Sequence, residues 1–320
     1  MDKARPSAGG AGTDRPGIGE TGFAQNPAVG GLVLPPKEMA VVDSIAAMLK
    51  GRPVALLTGA GLSTDSGIPD YRGPGSAPRN PVTYQEFMND APLRRRYWAR
   101  NHLGWAHMRQ AAPNAGHYAV AALEQAGQLT GIITQNVDRL HESAGAREVV
   151  DLHGRFDQIV CMNCSTTYSR AFLAVVLEEL NPGFLDAVEA AGGVEAAPDA
   201  DAALESEQLI NSFKVAKCPL CGGLLKPDFV FFGENVPKDR VERSYAMVDA
   251  AQVLLVAGSS LTVMSGLRFV KKAAKDGKPV IIINRGKTRG DEQATVKLEA
   301  GVGESLSRLA QLLVDDWRDH

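Results

Sequence analysis

The chain has 320 residues, 44% of them hydrophobic and 22% charged, with a formal net charge of -3. That length suits one large domain or two ordinary ones, and the composition is that of a globular protein. The charge excludes the basic domain of a nucleic-acid binder, and no apolar run nears the roughly 18 residues of a membrane helix, so neither nucleic acid nor membrane is an expected partner.

Residues 1–37 are rich in Gly and Pro and poor in large apolar groups. Such a segment cannot offset its ordering entropy by burial, so a flexible tail is expected. It lacks the apolar stretch of a secretory signal, and Asp2, Asp14 and Glu20 with the glycines and prolines oppose a transit helix. A cytoplasmic protein is the expectation.

Over residues 39–50, Val42, Ile45 and Leu49 share one helical face. The apolar run 54–57 then ends in Thr58-Gly59-Ala60-Gly61, which reads as a buried parallel strand feeding a glycine turn. Similar runs recur at 131–134, 149–152, 253–257 and 280–283. Each is followed by polar or glycine-containing residues: Gln135-Asn136, His153-Gly154, Gly258-Ser259-Ser260 and Asn284-Arg285-Gly286. Strands alternating with helical stretches predict an α/β fold with a parallel sheet and right-handed crossovers. Ligands on such sheets sit beyond the carboxyl ends of the strands, so these residues should converge on one crevice. A last helix is expected over 304–317, with Leu306, Leu309, Leu313 and Trp317 as core.

Two segments break the alternation, 74–128 and 156–225, and both read as insertions that build a smaller domain. Within the second, residues 186–207 carry seven acids and no Lys or Arg. A solvated loop or frayed helix is expected there. The four cysteines form two knuckles, Cys161-x-x-Cys164 and Cys218-x-x-Cys221. Four thiolates give the closed tetrahedral site of a structural zinc ion. The 53 residues between the pairs exceed a simple ribbon spacing, and the acidic loop accounts for the excess. A redox dithiol is the lesser alternative.

His153 lies ahead of the first knuckle, at the end of a predicted strand. With four thiolates present the metal does not need it, so it is assigned to the crevice instead. A lone histidine in such a loop is more often structural than catalytic. The string Gly59 to Arg72 follows a buried strand, but as a bare G-x-G with Thr64 where a third glycine would fall it is a weak signal.

As a whole, the string resembles the sirtuin family of NAD-dependent protein deacylases. The likeness continues through Thr134-Gln135-Asn136-Val137-Asp138, Leu152-His153-Gly154, the paired Cys-x-x-Cys and residues 226–234. It extends through Gly258-Ser259-Ser260-Leu261-Thr262-Val263 and Ile283-Asn284-Arg285-Gly286, all in family order. Residues 96–101, 69–72 and 263–266 and the long insertion between cysteine pairs are similar to the class II branch.

The resemblance implies a Rossmann-like doubly wound parallel sheet formed by 38–73, 129–155 and 226–320. The small domain would comprise a helical module, 74–128, and a zinc module, 156–225. It implies NAD as cofactor and one structural Zn2+. Gly59, Ala60, Gly61, Ser63, Asp65, Ile68, Pro69, Asp70, Tyr71 and Arg72 would wrap the pyrophosphate and shield the nicotinamide end. Gln135, Asn136, Val137 and Asp138 would form the nicotinamide and ribose pocket. Gly258, Ser259, Ser260, Asn284, Arg285, Gly286 and Val302 would hold the adenosine side.

His153 would then be the general base that deprotonates a ribose hydroxyl, with Asn136 and Asp138 polarising the leaving side. Products would be free lysine, nicotinamide and O-acyl-ADP-ribose. An acyl-lysine peptide would pair as an added strand between residues 230–234, with Val230, Phe231, Gly233 and Glu234, on one side and residues 260–264, with Leu261, on the other. Tyr97 and Arg100 either line the acyl channel, where the arginine would favour an acidic acyl chain, or pack structurally. Mono-ADP-ribosyl transfer or NAD hydrolysis would use the same residues. A non-catalytic NAD-sensing scaffold would have no use for a base.

Overall fold

The computed structural model describes residues 34–70, 81–190, 204, 206–315 and 317. The strands are β1 (Val54–Thr58), β2 (Leu129–Thr134), β3 (Val149–Asp151), β4 (Gly154–Cys161), β5 (Thr167–Ser169), β6 (Leu225–Phe229), β7 (Val253–Ala257), β8 (Val280–Ile283) and β9 (Val296–Leu298). The helices begin with α1 (Pro36–Leu49), α2 (Tyr84–Asn89), α3 (Ala91–Met108), α4 (Ala115–Gln125), α5 (Leu140–Ser143) and α6 (Arg170–Leu180). They continue with α7 (Phe184–Ala190), α8 (Glu207–Ser212), α9 (Lys238–Ala250), α10 (Met264–Lys275) and α11 (Val302–Leu313).

Six strands form a parallel sheet in the order β3-β2-β1-β7-β8-β9. Every residue of β1, β7 and β8 is buried, as apolar runs covered on both faces require. Alternate side chains serve opposite layers. Leu56, Ile132, Leu255 and Ile281 pack with Ile45 of α1, Val120 of α4 and Leu306 of α11. Leu57, Ile133, Val256 and Ile282 pack with Val248 of α9 and Phe269 of α10. The chain leaves β1 for β2 on one side and later returns to β7 on the other, so strand order reverses at the β1–β7 boundary. In open α/β sheets that boundary is where ligands bind.

A second sheet, β5-β4-β6, is antiparallel. With α2, α3, α6, α7 and α8 it encloses a separate core around Phe87, Trp98, Leu177, Phe213 and Phe229. A fully buried cation, Arg170, sits within it over the Trp98 and Trp105 rings, 5.8 and 4.9 Å from their centroids.

Four boundaries differ from expectation. The α1 helix starts at Pro36, a residue suited to a first helical turn, and Leu34 is buried ahead of it, so the expected tail of 1–37 runs too far. The α4 helix is the last crossover element between β1 and β2, and its Ala119, Val120 and Leu123 pack in the large core rather than with the rest of 74–128. The β6 strand pairs with β4 in the small sheet although all of it but Leu225 falls in the expected segment 226–320. Of the acidic stretch, 191–203 and 205 lie outside the described residues. The last helix ends at Leu313, short of Trp317, which packs beyond it. No helix among the described residues is long and apolar enough to cross a membrane.

Candidate functional site

A cavity of about 710 Å³ opens at the carboxyl ends of β1, β2, β7 and β8. Its floor is backbone. A Cβ on Gly59 would come within 2.7 Å of the Gly258 carbonyl oxygen, and one on Gly61 within 3.0 Å of the same atom. Glycine is therefore required where the turns after β1 and β7 touch. The turn after β1 is tied to α4 by Asn114, whose side-chain nitrogen donates to Leu62 O at 2.8 Å and Ser66 Oγ at 3.0 Å. Arg285 and Lys287 place two cations on the cavity wall. A side-chain-free floor with cations beside it fits the pyrophosphate of a dinucleotide.

On the β2 side, Asn136 and Asp138 are buried in the same wall and joined through Ser63. Asn136 Nδ2 donates to Ser63 Oγ at 3.0 Å and to Gly59 O at 3.1 Å. Ser63 Oγ donates to Asp138 Oδ2 at 2.7 Å, and Leu140 N donates to Asp138 Oδ1 at 3.0 Å. Burial pushes the Asp138 carboxyl up from the ordinary range, against those hydrogen bonds.

His153 projects into the cavity from the turn between β3 and β4. That turn is possible because residue 154 is glycine, with φ +91°, where a Cβ would collide with Asp228 O at 1.6 Å. His153 Nδ1 lies 3.1 Å from Gln135 O, and Nε2 lies 2.7 Å from Ser265 Oγ. A carbonyl can only accept, so Nδ1 carries the hydrogen and Nε2 is the bare, basic nitrogen. Burial, with a smaller contribution from the Arg240 charge, holds the ring pKa down at about 4, so the imidazole is neutral at pH 7. A neutral imidazole facing a polar cavity can take a proton from a hydroxyl.

The cavity wall brings together Gly59, Ala60, Gly61, Ser63, Ile68, Asp70, Gln135, Asn136, Val137, Asp138, His153, Gly258, Ser259, Ser260, Leu261, Asn284, Arg285 and Gly286. Asp65 and Pro69 are exposed and do not line it; Asp65 instead lies against Gly303 at the start of α11. Val302 is buried in the large core beside that point. Tyr71 and Arg72 lie outside the described residues. Leu261 holds a left-handed backbone, φ 55°, a conformation costly for a branched side chain that clusters at working sites. Thr262 and Val263, expected on a peptide edge, also line the cavity, and Lys287 and Ser265 join the site although the sequence motifs gave them no role. Lys287 follows the Asn284-Arg285-Gly286 turn directly, and its charge was the available signal.

Of the expected substrate residues, Phe231 is 8% exposed and packs its ring in the small core, 5.4 Å from Tyr97. Tyr97 is 5% exposed and meets Phe87 edge-on at 5.3 Å. Packing is therefore the better reading of Tyr97. Neither it nor the half-buried Arg100 lines the cavity. Val230 N donates to His153 O at 2.9 Å, which ties residues 230–234 to the cavity's edge. Gly233 accepts from Gln85 Nε2 at 3.3 Å, and Glu234 Oε2 accepts from Phe231 N at 2.9 Å.

The four cysteine sulfurs lie within 4.8 Å of one another. Cys161 Sγ is 3.5 Å from Cys221 Sγ, and Cys164 Sγ is 3.8 Å from Cys218 Sγ. Tetrahedral zinc with bonds of about 2.3 Å separates its sulfurs by about 3.8 Å, so the donor set fits that ion. His153 is not part of this cluster, and both of its ring nitrogens have other partners. The metal centre and the cavity are thus distinct.

The Sir2 family profile matches residues 59–265. A relative from Mycobacterium avium named NAD-dependent protein deacetylase 1 is 56% identical over 269 residues, 84% of this chain and 94% of that one. A protein of the same name from Streptomyces coelicolor is 52% identical over 271 residues, 84% of this chain and 89% of its own. A solved Sir2 complex with a p53 peptide and NAD+ superposes with a TM-score of 0.66 at 30% identity, covering 84% of this chain and 97% of that one. The profile match runs through the glycine turn, the Asn136–Asp138 wall, His153 and the cysteine cluster: the chain belongs to the Sir2 family.

Proposed function

We propose that the protein is an NAD-dependent protein-lysine deacylase that moves the acyl group of a modified lysine to ADP-ribose, releasing nicotinamide. The observation that carries this reading is a neutral His153 with Nε2 bare, in one cavity with a glycine floor and the Asn136–Ser63–Asp138 chain. The M. avium and S. coelicolor relatives bear the corresponding name.

Gly59, Gly61, Gly258, Arg285 and Lys287 bind the pyrophosphate, and Asn284 and Ser260 hold the adenosine side. Asn136 and Asp138 orient the nicotinamide end. When bound, NAD supplies a ribose carbon that becomes electrophilic as nicotinamide leaves, beside a hydroxyl that must lose its proton. His153 Nε2 takes that proton, a role worth about 10²–10⁴-fold in rate. The small domain's metal holds the cysteine knuckles together and takes no part in the chemistry. Cysteines kept as metal ligands suit the cytoplasm, where disulfides are disfavoured.

The peptide edges are residues 230–234 and 260–264. They flank His153: Val230 bonds its backbone, Ser265 its ring, and Phe232 and Met264 stand out to solvent at 43% and 45% exposure. Two exposed apolar side chains on either side of the base suit an acyl-lysine peptide. The class II placement rests on residues 69–72, 96–101 and 263–266 and on the long insertion between the cysteine pairs.

The test is incubation with NAD and peptides carrying acetyl-, succinyl-, glutaryl- and lipoyl-lysine, with products followed by mass spectrometry. Loss of the acyl group matched by O-acyl-ADP-ribose supports the reading. Free ADP-ribose alone across the whole panel contradicts it and favours NAD hydrolysis or ADP-ribosyl transfer.

A further inference from the structure

His153 is held by two partners, and the proposed reaction so far uses neither. Gln135 O fixes Nδ1, and that carbonyl is itself immobile. Gln135 N donates to Thr58 O at 3.0 Å, and its side-chain Nε2 donates to Ser259 Oγ at 2.7 Å and Thr58 O at 3.2 Å. The Gln135 amide also packs on the first turn of α10, where a Cβ at Gly266 would meet its Oε1 at 2.7 Å. Ser265, the residue before Gly266, is only partly buried and reaches His153 Nε2 at 2.7 Å. Since Nδ1 holds the ring hydrogen, the Ser265 hydroxyl must be the donor to Nε2.

On this basis we propose that Ser265 is a positioning residue for the base: its hydroxyl holds the His153 ring with Nε2 bare and turned to the cavity. The inference rests on His153 acting as that base. In the resting site the hydroxyl occupies the basic nitrogen in place of a reacting hydroxyl. A serine can also accept, so once Nε2 carries a proton the contact reverses, with Nε2–H donating to Ser265 Oγ. The ring keeps a partner in both protonation states and need not rotate between them. Alanine at this position would leave one fixed point, Nδ1, about which the ring can swing. Among the described residues the partly exposed hydroxyl has this ring as its hydrogen-bond partner, so its removal should leave the fold intact.

The charged group that reaches the ring is Arg240 of α9, whose guanidinium is paired with Asp228 Oδ2 at 2.7 Å; Asp151 ends β3 just before the turn, and Asp228 lies on β6, which pairs with β4. None of these replaces a hydrogen bond at Nε2.

The experiment compares wild type, Ser265→Ala and Ser265→Thr in steady-state kinetics with NAD and an acetyl-lysine peptide, together with ¹⁵N spectra of the His153 ring. Loss of one hydrogen bond that orients the base should lower kcat about tenfold in the alanine variant, with KM for NAD and for peptide within about twofold of wild type. Ser265→Thr, which keeps the hydroxyl, should recover most of kcat. The ring spectra should show one Nδ1–H form in wild type and tautomer or ring averaging in Ser265→Ala. An unchanged kcat in Ser265→Ala, a rise in either KM matching the fall in kcat, or identical ring spectra would overturn the proposal. Should wild type consume NAD without deacylating peptide, the proposed function fails by itself, and the ring spectra still decide what Ser265 does.

Discussion

At the scale of single residues, the site turns on which nitrogen of one ring carries hydrogen. The Gln135 carbonyl settles that for His153, and burial keeps the ring uncharged at pH 7. His153→Ala should lower kcat by about 10²–10⁴-fold while NAD binding, read by titration calorimetry, changes little. Equal loss of NAD binding would make the ring a ligand rather than a base. Ser63, expected in the loop around the pyrophosphate, takes a further part in the structure. It accepts from Asn136 and donates to Asp138, so one hydroxyl sets the orientation of both. Ser63→Ala leaves the buried Asp138 with one donor fewer, which should cost about 1–3 kcal/mol of stability in urea unfolding. The candidate residues were legible where strand ends carry Gly, Ser, Asn and His, because glycine and small polar side chains at such ends have few structural uses. Ser265 was not legible as a site residue. Its partner is 112 positions away, and a serine in a helix's first turn is ordinary in sequence.

Among the elements, the segment 226–234 shows how a short sheet edge is made rigid. Lys226 is 3% exposed, donates to the Phe229 carbonyl and pairs with Glu234 Oε2 at 3.1 Å, its ammonium 4.9 Å above the Phe231 ring. Burial lowers its pKa, and Glu234 opposes that shift. Removing one partner of such a pair strands the other, so Glu234→Gln should lose up to about 3–5 kcal/mol. The double variant with Lys226→Met should be more stable than Glu234→Gln alone, since it removes the stranded cation. Strict additivity in urea unfolding would mean the two groups are not coupled. Long apolar runs made β1, β2, β3, β7 and β8 readable. The β9 strand was not, being three residues at a sheet edge with a lysine at its centre. The small sheet was also missed, because β4 and β6 mix Arg, Asp, Gln and Lys with apolar residues and pair across the zinc insertion. The α4 helix was misplaced since adjacency in sequence to α3 says nothing about which core its apolar face enters.

Over the whole molecule, a core on each face of the large sheet and a third in the small domain share one chain, and the cysteine cluster belongs to the third. Removing zinc with a chelator should melt the β5-β4-β6 sheet and its helices, seen as a lower Tm, with about one zinc ion released per chain. Full activity and unchanged Tm in zinc-free protein would contradict a structural ion. Acid should destabilise the fold through its histidines. Burial holds His102, His141 and His153 at about 4 and His117 well below its ordinary value. Their unfolded pKa is about 6.5, so as pH falls from there toward 4 the unfolded chain binds protons first and stability drops. Asp151, raised by burial to about 6, works in the opposite sense: its contribution is present at low pH and lost as pH rises through 6. Four histidines against three carboxylates raised by burial, Asp151, Asp138 and Glu142, predict a net fall in Tm between pH 7 and pH 5. A flat profile over that interval would mean the rings are hydrated.

The central claim is that a bare imidazole nitrogen works on a dinucleotide in this cavity to move an acyl group. Its most direct measurement is product stoichiometry with NAD and an acetyl-lysine peptide, for wild type and His153→Ala. Equal amounts of nicotinamide, free lysine peptide and O-acetyl-ADP-ribose from wild type, and almost none of the last two from the variant, are the predicted result. Deacetylation that persists in the variant, or that proceeds without NAD, would contradict it.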